Sequence, residues 1–209
     1  MTIHHHIPED MLADYAAGHL AGPFAVVVAA HLSICDDCRA TVEAEAMLGG
    51  AVLDASAGAA LSEGALDRAL AALDGPPPPP DPRPSGIFPA AVMQALKGQP
   101  PRWRSLGGGI RQQILSDGDQ GSLRLLYIPP GRAVPEHSHR GLELTLVLQG
   151  SFADSEGRFA RGDVECAADD LAHQPVAGTG LPCICLAATD APLRFRAMIP
   201  RLLQPLFRI

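Results

Sequence analysis

The fold of this chain is indicated most strongly by the stretch Gly131-Arg132-Ala133-Val134-Pro135-Glu136-His137-Ser138-His139-Arg140-Gly141-Leu142-Glu143. Successive side chains of a β-strand point to opposite faces, so His137, His139 and Glu143 share one face if the strand is regular. Gly141 lies between them and, having no side chain, leaves that face open for an ion. Two imidazoles and a carboxylate suit zinc, iron, manganese, nickel or copper. The stretch therefore predicts a transition-metal site on a sheet.

The residues around this stretch extend the prediction to both faces of the sheet. A fourth ligand is available in His173, the only other histidine in the second half of the chain, which a neighbouring strand can bring in. The opposite face carries leucines at positions 142, 144, 146 and 148. A face of this kind is not expected to stay in water. We therefore expect the C-terminal segment, residues 87–105 or another subunit to cover it.

Short apolar runs divided by glycine, proline and aspartate continue through the second half, which is typical of antiparallel strands. Cys183 and Cys185 fall on one face of such a run, and we interpret them mainly as core residues, with a redox role as the alternative. Together the runs predict a small antiparallel β-barrel led by a short helix at about 89–97. The predicted strands lie at about 110–116, 121–128, 133–139, 142–149, 163–167, 183–188 and 193–197.

A proline-rich run divides the chain, from Gly75 through five consecutive prolines to Gly86. Such a run favours polyproline II and cannot join a helix or a central strand. We interpret residues 75–86 as a semi-rigid linker between an N-terminal domain, residues 1–74, and a C-terminal domain, residues 87–209. The fold class predicted is α+β in two domains, a small helical bundle followed by the β-barrel.

The first half is rich in alanine, leucine and valine and lacks the alternation of strands. Its pattern predicts four helices, at about 8–17, 23–31, 36–48 and 62–73, with Gly49-Gly50 ending the third and Ser62 as the N-cap of the fourth. A domain of this size buries only a modest core. An added staple such as a metal ion is therefore expected.

The candidates for that staple are His31, Cys35 and Cys38, which are spaced i, i+4 and i+7 and share one face of a helix. A Cys-x-x-Cys pair at a helix start is a common half-site for zinc, and His4, His5 or His6 can complete it. A thioredoxin-type redox pair would need a βαβ unit, which this half lacks. The cysteines could also fill the core. The upstream histidines make a zinc site the better interpretation.

Composition excludes several classes of function. With 16 basic and 23 acidic residues the formal net charge is −7, and no basic run is present, so we expect no direct nucleic-acid binding. Such a charge suits a basic protein partner or a small ligand. We expect neither a signal peptide nor a membrane span, and five unevenly placed cysteines do not form a disulfide scaffold. A cytoplasmic location follows as the expectation.

These motifs resemble known families. From Gly131 to Gly150 the pattern Gly-x5-His-x-His-x3-Glu-x6-Gly is similar to the first motif of the cupin superfamily, and the region from Gly157 to His173 resembles the second. His-x3-Cys-x2-Cys from His31, with an earlier histidine, resembles the zinc-binding anti-sigma domain. The two in this order resemble the ChrR family of anti-sigma factors over nearly the whole chain.

The resemblance implies a function that composition alone does not. The helical domain would bind a group IV (extracytoplasmic-function) sigma factor and block its access to RNA polymerase, and the cupin domain would release it on exposure to singlet oxygen or related oxidants. The implied metal ligands are His6, His31, Cys35 and Cys38 for zinc, and His137, His139, Glu143 and His173 for zinc or another divalent transition metal. The alternatives are a cupin metalloenzyme, an oxygenase or isomerase, and a metal or redox store.

Overall fold

The computed structural model describes residues 2–77, 80–138, 141–168 and 172–191, and the backbone of 194–195. In this part of the chain, no helix has both the length and the apolar character needed to cross a membrane. The helices are α1 (Glu9–Ala16), α2 (Gly22–Leu32), α3 (Asp36–Ala55), α4 (Ala65–Leu73) and α5 (Ala90–Ala95).

The helices occur where the sequence predicts them, with two corrections at their ends. Helix α3 does not end at Gly49-Gly50 but continues to Ala55. Each glycine costs a helix only about 1 kcal/mol relative to alanine, and both stand here in open space. Ser62 is not the N-cap of α4, because Gly64 takes that position and the Ser62 hydroxyl accepts a hydrogen bond from Arg68 instead.

The second half is antiparallel throughout, as predicted, but the described strands form separate sheets rather than one closed barrel. A six-stranded sheet has the order β1-β2-β3-β10-β5-β8, a three-stranded sheet the order β7-β6-β9, and β4 pairs with β11. The strands β1, β6, β7 and β9 were not predicted. The bounds are β1 (Arg104–Gly107), β2 (Ile110–Gly118), β3 (Gly121–Ile128), β4 (His137–Ser138), β5 (Glu143–Gln149), β6 (Ser151–Ala153), β7 (Arg158–Ala160), β8 (Val164–Ala167), β9 (Val176–Ala177), β10 (Cys183–Thr189) and β11 (Arg194–Phe195).

One face of the six-stranded sheet packs toward the three-stranded sheet. Val147 of β5 and the two cysteines of β10, Cys183 and Cys185, are fully buried there with Phe152 and Phe159. The two phenylalanine rings stack with their centroids 5.0 Å apart. The interpretation of Cys183 and Cys185 as core residues is therefore confirmed.

The leucines of β5 lie on the other face, as predicted, and helices cover them. Leu144, Leu146 and Leu148 are buried in one apolar cluster with Val27 and Val28 of α2. The expectation that residues 87–105 cover this face is correct in part, because α5 joins the cluster, but the contribution of α2 was not predicted. Helix α2 is apolar on all sides because it lies between the other N-terminal helices and the sheet. The division into two domains stays a prediction, and the two halves share this cluster.

Candidate metal centres

Four donor residues come together at the junction of α1, α2 and α3, and we call them the helical site: His6, His31, Cys35 and Cys38. Their donor atoms all lie within 4.8 Å of one another. His31 Nε2 is 3.2 Å from Cys38 Sγ, and His6 Nδ1 is 3.3 Å and 3.5 Å from the sulfurs of Cys35 and Cys38. Two thiols and two imidazoles are a donor set that fits tetrahedral zinc.

Local structure explains this convergence. His31 occupies the last turn of α2, Cys35 is the residue before α3, and Cys38 lies in the first turn of α3. Of the three N-terminal histidines that the sequence alone left open, the structure brings His6 to the cysteines. The ring of His5 turns away and packs on Phe159, with centroids 4.4 Å apart. His6 is the exposed member of the set, while the other three are buried.

The imidazole of His31 is in the neutral form that binds a metal ion. Burial lowers the pKa of His31 to about 4, so its imidazole is neutral at pH 7. Its Nδ1–H donates to the carbonyl oxygen of Gly162 at 3.0 Å, which leaves the Nε2 lone pair facing Cys38. Burial raises the pKa of the Cys38 thiol to about 11. A divalent cation would displace the thiol protons and balance the negative charge of the two thiolates.

The second centre, which we call the cupin site, is built around His137 and His173. Their Nε2 atoms lie 3.1 Å apart. The Nδ1 of His137 is 2.9 Å from the carbonyl oxygen of Pro135, and the Nδ1 of His173 is 2.8 Å from a carboxylate oxygen of Asp154. Because both Nδ1 atoms face oxygens, the two Nε2 atoms can share one cation between them, a proton or a metal ion, so these residues fit a metal.

Two carboxyl groups behind His173 were missed in the sequence. Glu165 Oε1 lies 3.2 Å from His173 Nδ1, beside the shorter contact of Asp154. Burial raises the pKa of Glu165 to about 7. Burial alone would lower the pKa of His173, but Glu165 and Asp154 outweigh it and raise that pKa to about 9. A carboxylate that orients a metal-binding imidazole is the common outer-shell arrangement. The signal that could have revealed Glu165 is the presence of an acidic residue inside the predicted strand 163–167.

The other two predicted cupin ligands are His139 and Glu143. Of these, His139 lies outside the described residues. The assumption of one regular strand is wrong, because His137 belongs to β4 and Glu143 begins β5 in another sheet. Glu143 is half-buried and accepts a hydrogen bond from Thr145 Oγ1 at 3.0 Å. Nor does Gly141 leave room for an ion, because the carboxylate of Asp190 occupies that space and accepts the Leu142 N–H.

The thiols of Cys183 and Cys185 form a buried pair with their sulfurs 3.4 Å apart. The hydrogen bond between them, together with burial, raises the pKa of Cys185 well above its usual range. Thiols of this kind react slowly, since the thiolate is the nucleophile. Cys166 is exposed and belongs to neither site.

Similarity to known proteins identifies the family. The family model for the ChrR cupin-like domain matches residues 93–191. The chain is 52% identical over 213 residues to the anti-sigma-E factor ChrR of Cereibacter sphaeroides, with 100% of both chains covered. It is also similar to a chain in the crystal structure of Rhodobacter sphaeroides SigE in complex with the anti-sigma ChrR, at 50% identity and a TM-score of 0.81, covering 90% of this chain and 100% of that chain. This chain belongs to the ChrR family of anti-sigma factors.

Proposed function

We propose that this protein binds a group IV (extracytoplasmic-function) sigma factor through its N-terminal helices and keeps it from RNA polymerase. The observation that carries the proposal is the relationship over the full length to the anti-sigma-E factor ChrR. The fold also matches a chain of the SigE–ChrR complex, over nine-tenths of the length of this protein. Because that partner works with RNA polymerase, we place the protein in the cytoplasm.

The binding surface in this proposal is the apolar face, which α3 and α4 present to solvent. The first turns of α3 pack on α1 and α2, but its second half carries no buried residue. On α4, Leu66, Leu70 and Leu73 follow the i, i+4, i+7 spacing of one helix face, and each is more than half exposed. Large apolar side chains grouped on an exposed helix face mark protein interaction sites. By the apolar face we mean the large exposed apolar side chains of these two helices, which are Met47, Leu48, Val52, Leu53, Leu66, Leu70 and Leu73.

Zinc at the helical site would hold the base of this surface. His6 lies before α1, His31 ends α2, and Cys35 and Cys38 begin α3, so one ion would tie three helices together. Structural zinc supplies on the order of 10 kcal/mol of folding free energy in small domains. We therefore include Zn²⁺ at this site in the proposal.

The cupin site would govern release. In the proposal, zinc or another divalent transition metal is held by His137, His139, Glu143 and His173, and singlet oxygen or a related oxidant changes this region. A switch of this kind needs two states that differ in their affinity for the partner. The support is the shared apolar cluster, through which α2 lies directly on β5 and β10.

A cupin metalloenzyme was the alternative from another class. The relative that matches the whole chain is a regulator, and its relationship covers the helices as well as the cupin region. This favours a regulatory protein over an oxygenase or isomerase. A store for metal would not need the apolar face.

The decisive experiment is co-expression of the full chain with a group IV sigma factor, followed by affinity purification and measurement of Kd. We expect a stable one-to-one complex. Replacing Leu66 and Leu70 by Glu should weaken it at least about 100-fold, as expected when central apolar anchors are lost. Leu181→Glu is the matched control, because Leu181 is equally exposed but lies in the cupin region. Equal binding by all three chains would contradict the proposed surface.

A further inference from the structure

A four-residue segment connects the two candidate sites. It consists of Gly162 and Asp163, which follow β7, and of Val164 and Glu165, the first two residues of β8, and we call it the 162–165 turn. We propose that this turn positions ligands of both metal sites at once and thereby couples them, so that metal in the cupin site strengthens metal binding in the helical site. The inference rests on the two sites of the proposed function.

At its first residue, the turn orients a ligand of the helical site. The carbonyl oxygen of Gly162 accepts the Nδ1–H of His31 at 3.0 Å, and His31 is fully buried. This bond fixes the tautomer in which Nε2 points to Cys38. An outer-shell acceptor of a zinc-ligating histidine commonly changes metal affinity 10- to 100-fold. Here that acceptor is a backbone atom of the cupin half.

The next two residues hold the segment that carries His6. Asp163 Oδ1 accepts the backbone N–H groups of His4 at 2.7 Å and His5 at 3.1 Å. The N–H of Val164 donates to the carbonyl oxygen of His5 at 3.0 Å. Three hydrogen bonds therefore attach the chain just before His6 to this turn.

At its last residue, the turn reaches the cupin site. The side chain of Glu165 is only 4% exposed, and its Oε1 lies 3.2 Å from His173 Nδ1. The other nitrogen of His173 faces His137. Glu165 therefore contacts a ligand that would hold a metal ion in the cupin site, and three peptide units join it to Gly162.

The turn is held firmly enough to transmit a shift from one site to the other. Gly162 has φ +92°, a conformation that favours glycine. Its N–H donates to the carbonyl oxygen of Val147 at 2.8 Å, and the Val147 N–H donates to the carbonyl oxygen of Asp163 at 3.1 Å. These two hydrogen bonds attach the turn to β5. Coupling between two binding sites is reciprocal and typically about 5- to 150-fold.

The absorption spectrum of Co²⁺ distinguishes the two sites in one experiment. Co²⁺ bound to thiolates gives a sulfur-to-metal charge-transfer band, and among the two sites only the helical site contains sulfur. The full chain is loaded with Co²⁺ and challenged with EDTA, and the decay of the band is followed. We expect His173→Ala to speed this decay at least about fivefold. In the unmutated chain, filling the cupin site with Zn²⁺ after the helical site holds Co²⁺ should slow the decay by a similar factor.

The positioning role of the turn is tested by a double-mutant cycle. Asp163→Asn keeps the side-chain shape but removes one of the two oxygens that accept backbone N–H groups. In that background His173→Ala should add less than a twofold effect, because the connection is already broken. The matched background is Ile128→Val, a buried change on β3, where His173→Ala should keep its full effect.

The outcomes separate the inference from the proposed function. A chain that never develops the charge-transfer band contradicts the helical metal site and the inference with it. A chain that shows the band but loses Co²⁺ at one rate whatever the state of the cupin site contradicts the inference alone. Equal effects of His173→Ala in the Asp163→Asn and Ile128→Val backgrounds would show that the turn is not the connection.

Discussion

His137 and His173 approach each other through their Nε2 atoms, at 3.1 Å, while oxygens of Pro135 and Asp154 lie against their Nδ1 atoms. With the Nδ1 atoms held in this way, the two Nε2 atoms face one point. The arrangement suits two metal ligands that are oriented before the ion arrives. The strength of metal binding should therefore depend on Asp154 as well as on the ligands themselves.

Replacement of Asp154 by Asn should weaken Zn²⁺ binding at the cupin site about 10- to 100-fold, as is usual for outer-shell carboxylates. The amide still accepts a hydrogen bond from His173, but it lacks the charge that favours a cation nearby. Isothermal titration with Zn²⁺ measures the change. Asp119→Asn, in an exposed turn, is the control and should bind as the unmutated chain does. Unchanged affinity in both variants would exclude Asp154 from the site.

Replacement of both Cys35 and Cys38 by Ser should remove one Zn²⁺ per chain and abolish sigma-factor binding. Hydroxyl groups do not replace thiolates at a zinc site, so the folding free energy that the ion supplies, on the order of 10 kcal/mol, is lost. Elemental analysis and the co-purification assay measure the two effects. Cys166→Ser is the control, because that cysteine is exposed and outside both sites. Full inhibition by the double variant would show that zinc is not needed.

The sequence was most informative where ligands are close along the chain. The spacing of His31, Cys35 and Cys38 predicts that these residues meet, and the structure brings them together, at the junction of two helices rather than on the face of one. The choice of His6 over its neighbours depends on the path of the N-terminal segment along the cupin half. That path is set by hydrogen bonds across about 160 residues, which periodicity does not reveal.

The same reason explains what was missed. Glu165 and Asp154 meet His173 only because β6 and β8 bring distant residues to one point. The apolar pattern of α2 predicts a buried helix, but not that its cover is the leucine face of β5. Local patterns therefore predicted the helices, the longer strands and one site, while the contacts between the halves depended on tertiary packing.

Leu146→Ala should destabilise the helices together with the sheet, because Leu146 is fully buried in the cluster that contains Val27 and Val28. The expected loss is about 2–5 kcal/mol. Urea unfolding is followed by far-ultraviolet circular dichroism for the helices and by fluorescence of Trp103, the single tryptophan, which packs on Tyr127 of β3. Both signals should shift equally. The exposed control Leu181→Ala should change stability by less than about 0.5 kcal/mol. A shift confined to fluorescence would mean that the halves unfold independently.

His137→Ala should leave sigma-factor binding intact but prevent release by oxidant. The apolar face and the helical site lie outside the cupin site, so with the helical site kept saturated with Zn²⁺ the complex should form with Kd changed less than about threefold. The complex is illuminated with a photosensitiser that generates singlet oxygen, and dissociation is measured by size-exclusion chromatography. The unmutated complex should dissociate, and the variant should not. His19→Ala, a surface change, is the control and should release its partner normally. Release from the His137→Ala complex at the unmutated rate would place the oxidant-sensitive step elsewhere in the protein.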